Sequence, residues 1–175
     1  MILELLLSSI CVNGMHGYLL WSQRVNRKWS ISVHAARDRQ TYLLYLAGHV
    51  LGGLFFILFA HKFFIQIYHV KWLFVLSAAG VFFEYLQAFL PGKGNTESAH
   101  AFAAYCMFIT YAAVTILSVF VLPLQTSTKL SAAPFLLAIP VCGVFAHIKR
   151  NKLYFSQMIA IASLCISMLI IAVGR

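Results

Sequence analysis

Charge is what this sequence has least of: Asp, Glu, Lys and Arg together supply 10% of its 175 residues, against 62% hydrophobic. A soluble chain alternates polar and apolar residues more than this, and here the apolar residues come in blocks about 20 long, the length that spans a hydrocarbon core. Linkers, low-complexity tracts and an internal repeat are missing too, so residues 1–175 read as one integral membrane domain. The four cysteines, Cys11, Cys106, Cys142 and Cys165, form no CxxC pair and fall inside apolar blocks, which argues against a disulfide framework or a zinc site and leaves them as small packing residues. Met1 to Leu7 holds Glu4 and no Lys or Arg, whereas a signal peptide wants a positive start, so the first block is expected to be a retained helix. The net charge of +9 could suggest nucleic acid, but the basic residues are scattered along block edges with no nucleic-acid motif, and no such partner is expected.

What is present is a series of six apolar blocks: Ile2 to Trp21, Tyr42 to Ala60, Trp72 to Leu90, Ser98 to Leu122, Leu130 to His147 and Leu153 to Val173. Backbone polar groups in lipid must be satisfied within the segment, so these are predicted helices and the fold class is an all-α, polytopic transmembrane bundle of six helices. Loops one, three and five hold Arg24, Arg27, Lys28, Arg37 and Arg39, then Lys93, then Lys149, Arg150 and Lys152, nine of the 13 cations. The other side holds Lys62, Lys71, Lys129 and Arg175. Positive residues in short loops mark the cytoplasmic side, which places the odd loops inside and both termini outside. Membrane lipids, with anionic headgroups against this basic face, are the expected partners.

Loop one, Ser22 to Gln40, mixes cations with Trp29, Ile31 and Val33 and reads as a short element lying in the headgroup layer. In loop three Pro91 and Gly92 stop a helix, and Asn95 or Thr96 could cap the next. Pro134 sits near the start of the fifth span and Pro140 inside it, predicting a kink near the latter. Small residues mark close-contact seams: Gly48 and Gly52 in span two; Ala99, Ala103, Cys106, Thr110 and Ala113 in span four; Ser156, Ala160, Ser163 and Ser167 in span six. Spans five and six need no reading beyond bundle packing.

Glu84 is the most costly residue to place. A charged side chain in hydrocarbon costs roughly 2.5–3.5 kcal/mol even on insertion scales, so it faces protein or water and finds a partner. Ser77, Gly80, Glu84 and Gln87 are spaced three, four and three apart, which puts them on one helical face turned into the bundle. Ser9, Asn13 and His16 share a face of span one, His49 lies in span two, and His100 opens span four. At 1.5 Å per residue His49 stands about 12 Å below loop one and Glu84 about 9 Å from loop three, depths compatible with one polar pocket beneath the cytoplasmic surface. Its candidate members are His16, His49, Glu84, Gln87 and His100. His61, His69 and His147 read as interfacial, and His34 as exposed to solvent or headgroups.

Three chemistries compete for such a pocket. His49, His100 and Glu84 could ligate zinc in a membrane-embedded hydrolase, although no HExxH or comparable two-ligand helix is present. His49 and His100 could be axial ligands of a haem, but one histidine per helix is too little, and no cofactor or resident metal is expected. A transporter needs a pathway through the bilayer, whereas these polar residues cluster toward one side.

Trp29-Ser30-Ile31-Ser32 before span two, the Phe89-Leu90-Pro91-Gly92 turn, His100 opening span four and the basic loop His147 to Lys152 resemble the pattern of a six-span prokaryotic membrane protein family of unknown function. That family is similar in layout to the superfamily of DRAM-type autophagy modulators and FGF-receptor-activating proteins. The resemblance covers nearly the whole chain in span order. It implies a multi-pass protein of a prokaryotic plasma membrane, no established enzyme activity, and an association with lipids, because some relatives are linked to lipid remodelling or lipid-dependent signalling. The sequence departs from the pattern in a short first span and in Lys93, where an acidic residue is expected. Eukaryotic members of the superfamily resemble an arrangement with loop one outside; the charge count of this chain's own residues gives the opposite. The expected function is sensing, organising or remodelling lipids through the polar pocket, with the hydrolase as the alternative.

Overall fold

Where water is excluded, a backbone satisfies its own N–H and C=O groups by coiling, and the chain is helical nearly throughout. The computed structural model describes residues 1–22, 30–90, 94–148 and 153–174, apart from the side chains of residues 143, 146, 147, 153 and 154. The elements are α1 (Ile2–Ser22), α2 (Ile31–Ala35), α3 (Arg39–Ala60), α4 (Lys71–Phe89), α5 (Glu97–Val121), α6 (Thr126–Ile148) and α7 (Leu153–Val173). Among the described residues five stretches are long and apolar enough to cross a membrane, Ile2–Ser22, Arg39–Ile67, Lys71–Phe89, Gly94–Val121 and Phe155–Val173, and α6 contributes the shorter apolar stretch Thr126–Cys142. Their outward faces are apolar as well. Phe120 is 77% exposed and Leu137 67%, an exterior suited to lipid and not to water. Arg24, Arg27, Lys28, Trp29, Pro91, Gly92, Lys93, Lys149, Arg150, Lys152 and Arg175, on which the charge count, loop and turn expectations partly rest, lie outside the described residues.

The helices run up and down. Gly52 of α3 faces Val12 of α1 and Gly48 faces Met15, so the chains run in opposite senses. Contacts of Tyr42 with Ala88, Tyr45 with Gln87 and His49 with Glu84 show the same for α3 and α4, and Thr128 with Gly174 for α6 and α7. Helices α1, α3, α4, α5 and α7 pack in a ring, with α6 laid against α7 and touching α5. The expected GxxxG seam is real: a Cβ on Gly52 would stand 2.5 Å from Val12 Cγ2, and one on Gly48 3.0 Å from Met15 Cβ and 3.2 Å from the Cys11 carbonyl. Ser156, Ala160, Ser163 and Ser167 are likewise buried along α7. On α5 the small-residue face is only partly inside: Ala103 is buried and Ala99 exposed, because the helix turns His100, Ala103, Val114, Thr115 and Ser118 inward instead.

Several boundaries differ from the hydropathy reading, each for a local reason. Helix α3 starts at Arg39, ahead of Tyr42, because the Asp38 carboxylate accepts from Thr41 N–H at 2.8 Å and caps it. Beyond Ala60 the ladder widens into π turns over His61–Ile67, burying both Phe63 and Phe64, and His69 at φ 57° ends the segment in the left-handed region. Thr96 stands at the N-cap of α5 but makes no side-chain capping bond. Helix α6 begins at Thr126, earlier than Leu130, and is helical through Pro134 and Pro140.

Loop one departs most. Ser30 accepts from Val33 N–H and caps α2, whose Ile31, Ser32, His34 and Ala35 are buried, while Ile31 N–H donates to Gln157 Oε1 of α7 at 3.1 Å. This turn therefore packs against the bundle through most of its side chains; His34, expected to be exposed, has no exposed surface. Ile31 and Ala35 join Met15, Leu19, Tyr45 and Ala88 in one apolar cluster, and Phe56, Phe59, Phe63, Phe64, Leu73 and Ile171 anchor a larger one farther down. Between the two lies a polar layer.

Candidate functional site

Helix α4 supplies the layer's centre. Ser77, Gly80, Glu84 and Gln87 are all buried, as their spacing requires, and the Ser77 hydroxyl satisfies itself on the Leu73 carbonyl at 2.8 Å. Glu84 is 4% exposed and lies across from His49 of α3, with Nδ1 2.9 Å from Oε1. One proton serves this contact, and either partner can carry it. The other carboxylate oxygen, Oε2, accepts from the Tyr111 hydroxyl of α5. Both carboxylate oxygens are thus engaged, which is what a buried carboxyl needs to be tolerated in a medium of low dielectric.

Close helix approach makes the Tyr111 contact possible. A Cβ on Gly80 would stand 2.7 Å from Tyr111 Cε1, so glycine here leaves the recess through which the ring lies across α4. Gly53 does the same for Tyr85, whose Cε1 would be 2.6 Å from a Cβ and whose hydroxyl donates to the Val50 carbonyl at 3.0 Å.

The remaining candidates are placed unequally. His16 of α1 is buried with its ring centroid 5.6 Å from that of His49. The Tyr45 ring meets His49 edge-on at 4.5 Å, and its hydroxyl donates to Gln87 Oε1 at 2.7 Å, so Gln87 joins the layer through Tyr45. His100 does not face Glu84. Its Nδ1 is 2.8 Å from both the Gln87 and the Leu90 carbonyls. Carbonyls only accept, so Nδ1 carries the proton, and the ring closes the C-terminal end of α4 where helical carbonyls lack partners. Among the described residues no group of three or more His, Cys, Asp or Glu is placed to hold a metal ion. His61, with its ring against Phe74, and His69 are exposed near the opposite end of the bundle.

Below the His49–Glu84 pair a cavity of about 80 Å³ opens between α1, α3, α4, α5 and α7. Its wall is apolar, formed by Leu5, Val12, Phe56, Met107, Phe108, Leu164 and Met168 among others, with His49, Glu84, Tyr111 and Cys165 as its chemically active members. Cys165 Sγ accepts from Asn13 Nδ2 at 3.4 Å, and Asn13 also bonds the Ser9 carbonyl at 3.0 Å. Sequence reasoning passed over Tyr111, Tyr45, Asn13's partner Cys165 and the cavity. A signal existed for the two tyrosines: Tyr111 lies three helical turns from His100 on the same face, and Tyr45 one turn before His49.

At the opposite end of the bundle Lys62 pairs with Glu4, which also meets the Met1 amine and ties α1 to the segment that follows α3. Comparison with protein-family models, with curated proteins and with solved structures finds no match for this chain.

Proposed function

We propose that this chain is a six-span integral membrane protein of the plasma membrane type that binds a small lipid-like amphiphile, and through it senses or organises lipids. The observation that carries the reading is the cavity: an apolar wall interrupted by one buried carboxyl, held by His49 and Tyr111. Pockets that fix orientation do so with a few polar groups in an apolar lining, and a site of this composition suits a molecule with a hydrocarbon body and one polar end. Helix α6 is the sixth span in this reading. At 23 residues it is about 34 Å long, enough for a 30 Å core. The cationic edge at the odd-loop end would meet anionic headgroups. The resemblance to a six-span prokaryotic family, with lipid-linked relatives, supports the same reading. A hydrolase built on Glu84, His49 and His100 would require His100 to turn away from the α4 carbonyls that it now satisfies.

The test is mass spectrometry of protein purified in mild detergent, comparing wild type with Thr115→Phe, which fills the cavity from α5. A bound amphiphile released from wild type and depleted in the variant is expected. Equal lipid content in two well-folded proteins would overturn the reading.

A further inference from the structure

Among the described residues Glu84 is the sole carboxylate in the cavity wall, and neither Lys nor Arg lines it. Its Oε1 lies 2.9 Å from His49 Nδ1, and one proton serves that contact. On the far side of that ring Nε2 is buried and has no hydrogen-bond partner among the described residues, so that edge of the imidazole faces no acceptor. A low-dielectric site resists net charge: a cation can enter beside an ionised Glu84 only as the proton leaves. Aromatic rings of Phe56, Phe108 and Tyr111 line the same space, and aromatic faces attract cations.

We propose that the cavity binds a hydrophobic monocation, of the alkyl- or arylammonium class, in exchange for the proton shared by His49 and Glu84. This rests on the reading of the cavity as an amphiphile site and names the chemistry of its occupant. The ammonium N–H groups donate to Glu84 Oε1 as His49 gives up that contact, one proton leaves, and the charge of the site is unchanged. No covalent bond other than that of the released proton breaks. The volume of about 80 Å³ holds roughly five to eight waters, the scale of a single small organic ion. The titratable groups around the pair are His16 of α1, Tyr45 of α3, Tyr85 of α4, Tyr111 of α5 and Cys165 of α7. None of these is a fixed cation that would neutralise Glu84 in place of the ligand. Proton and ligand compete for one carboxylate, so by linkage affinity for the cation rises as pH rises.

Calorimetric titration of the intact protein with benzylammonium and with benzyl alcohol, in buffers of different ionisation enthalpy, counts the protons. Benzylammonium is expected to release about one proton per molecule bound, and to bind about tenfold or more tightly than the alcohol, which releases none. Glu84→Gln should bind both probes alike without proton release. Equal affinity for the two probes, or binding of the cation without proton release by wild type, overturns the exchange and leaves the amphiphile site standing. Binding of neither probe removes both. The wild-type proton count decides the matter even if Glu84→Gln does not fold.

Discussion

Replacing Glu84 by leucine and by glutamine separates the two things that a buried carboxyl does. Leucine keeps the bulk and removes the cost of desolvating an acid, which on its own would be neutral or stabilising. It also strands two donors, His49 Nδ1 and the Tyr111 hydroxyl, both turned into the bundle. Hydrogen bonds between membrane helices average about 0.6 kcal/mol, so the lost bonds alone amount to about 1.2 kcal/mol. An unsatisfied buried group costs roughly 1–3 kcal/mol, which for two sets an upper range of about 2–6 kcal/mol. Between these bounds we expect Glu84→Leu to lose about 2–3 kcal/mol, a drop in Tm of roughly 4–12 °C for a chain of this size. Glutamine can accept from Tyr111 with its carbonyl and donate to a neutral His49 with its amide, so Glu84→Gln should stay within about 1 kcal/mol of wild type. Thermal unfolding in detergent, followed by tryptophan fluorescence, measures both. A leucine variant as stable as wild type would mean that the two donors find other partners, and the layer would not be the interlocked unit described above.

Three further outcomes follow from other parts of the fold. Gly52→Leu should cost about 1–3 kcal/mol by overpacking the α1–α3 seam, where a Cβ already meets Val12 at 2.5 Å; unchanged thermal stability would place the seam elsewhere. With native cysteines removed, a membrane-impermeant maleimide added outside should label Gln125→Cys but not Arg37→Cys, both exposed positions at opposite ends of the bundle; the reverse pattern would invert the orientation. Backbone and side-chain hydrogen bonds from Thr41 hold the Asp38 carboxyl below its usual range. Its folded pKa being depressed, its contribution is present above the ordinary carboxylate pKa and lost as pH falls through the folded value. Asp38→Asn, which still caps α3, should therefore flatten the acid limb of the stability profile, and an unaltered limb would contradict this.

Much of this architecture is written in the hydropathy of the chain. The apolar blocks locate the membrane-length helices, the small residues locate the α1–α3 seam and a buried face of α7, and the three-four-three spacing around Glu84 turns the right face of α4 inward. These are local periodicities, which a sequence displays directly. Less legible was which long-range partners would meet. Tyr111 lies 27 residues from Glu84 and sits in an apolar run where a tyrosine looks like lipid-facing bulk. His100 looked like a member of the pocket because depth along a helix was known and azimuth was not; its ring ends on backbone carbonyls instead. The burial of the turn at Ile31–Ala35 is not legible because it depends on where α1 and α3 leave room.

The recess at Gly80 has a consequence for how the sequence can drift. Any side chain there displaces the Tyr111 ring, and any residue without a hydroxyl at 111 releases Glu84 from one of its two donors. A larger residue at 80 calls for a smaller one at 111, which would leave the acid at 84 with His49 alone. Positions 80, 84 and 111 are thus bound to one another, since a change at any of them narrows what the other two can be.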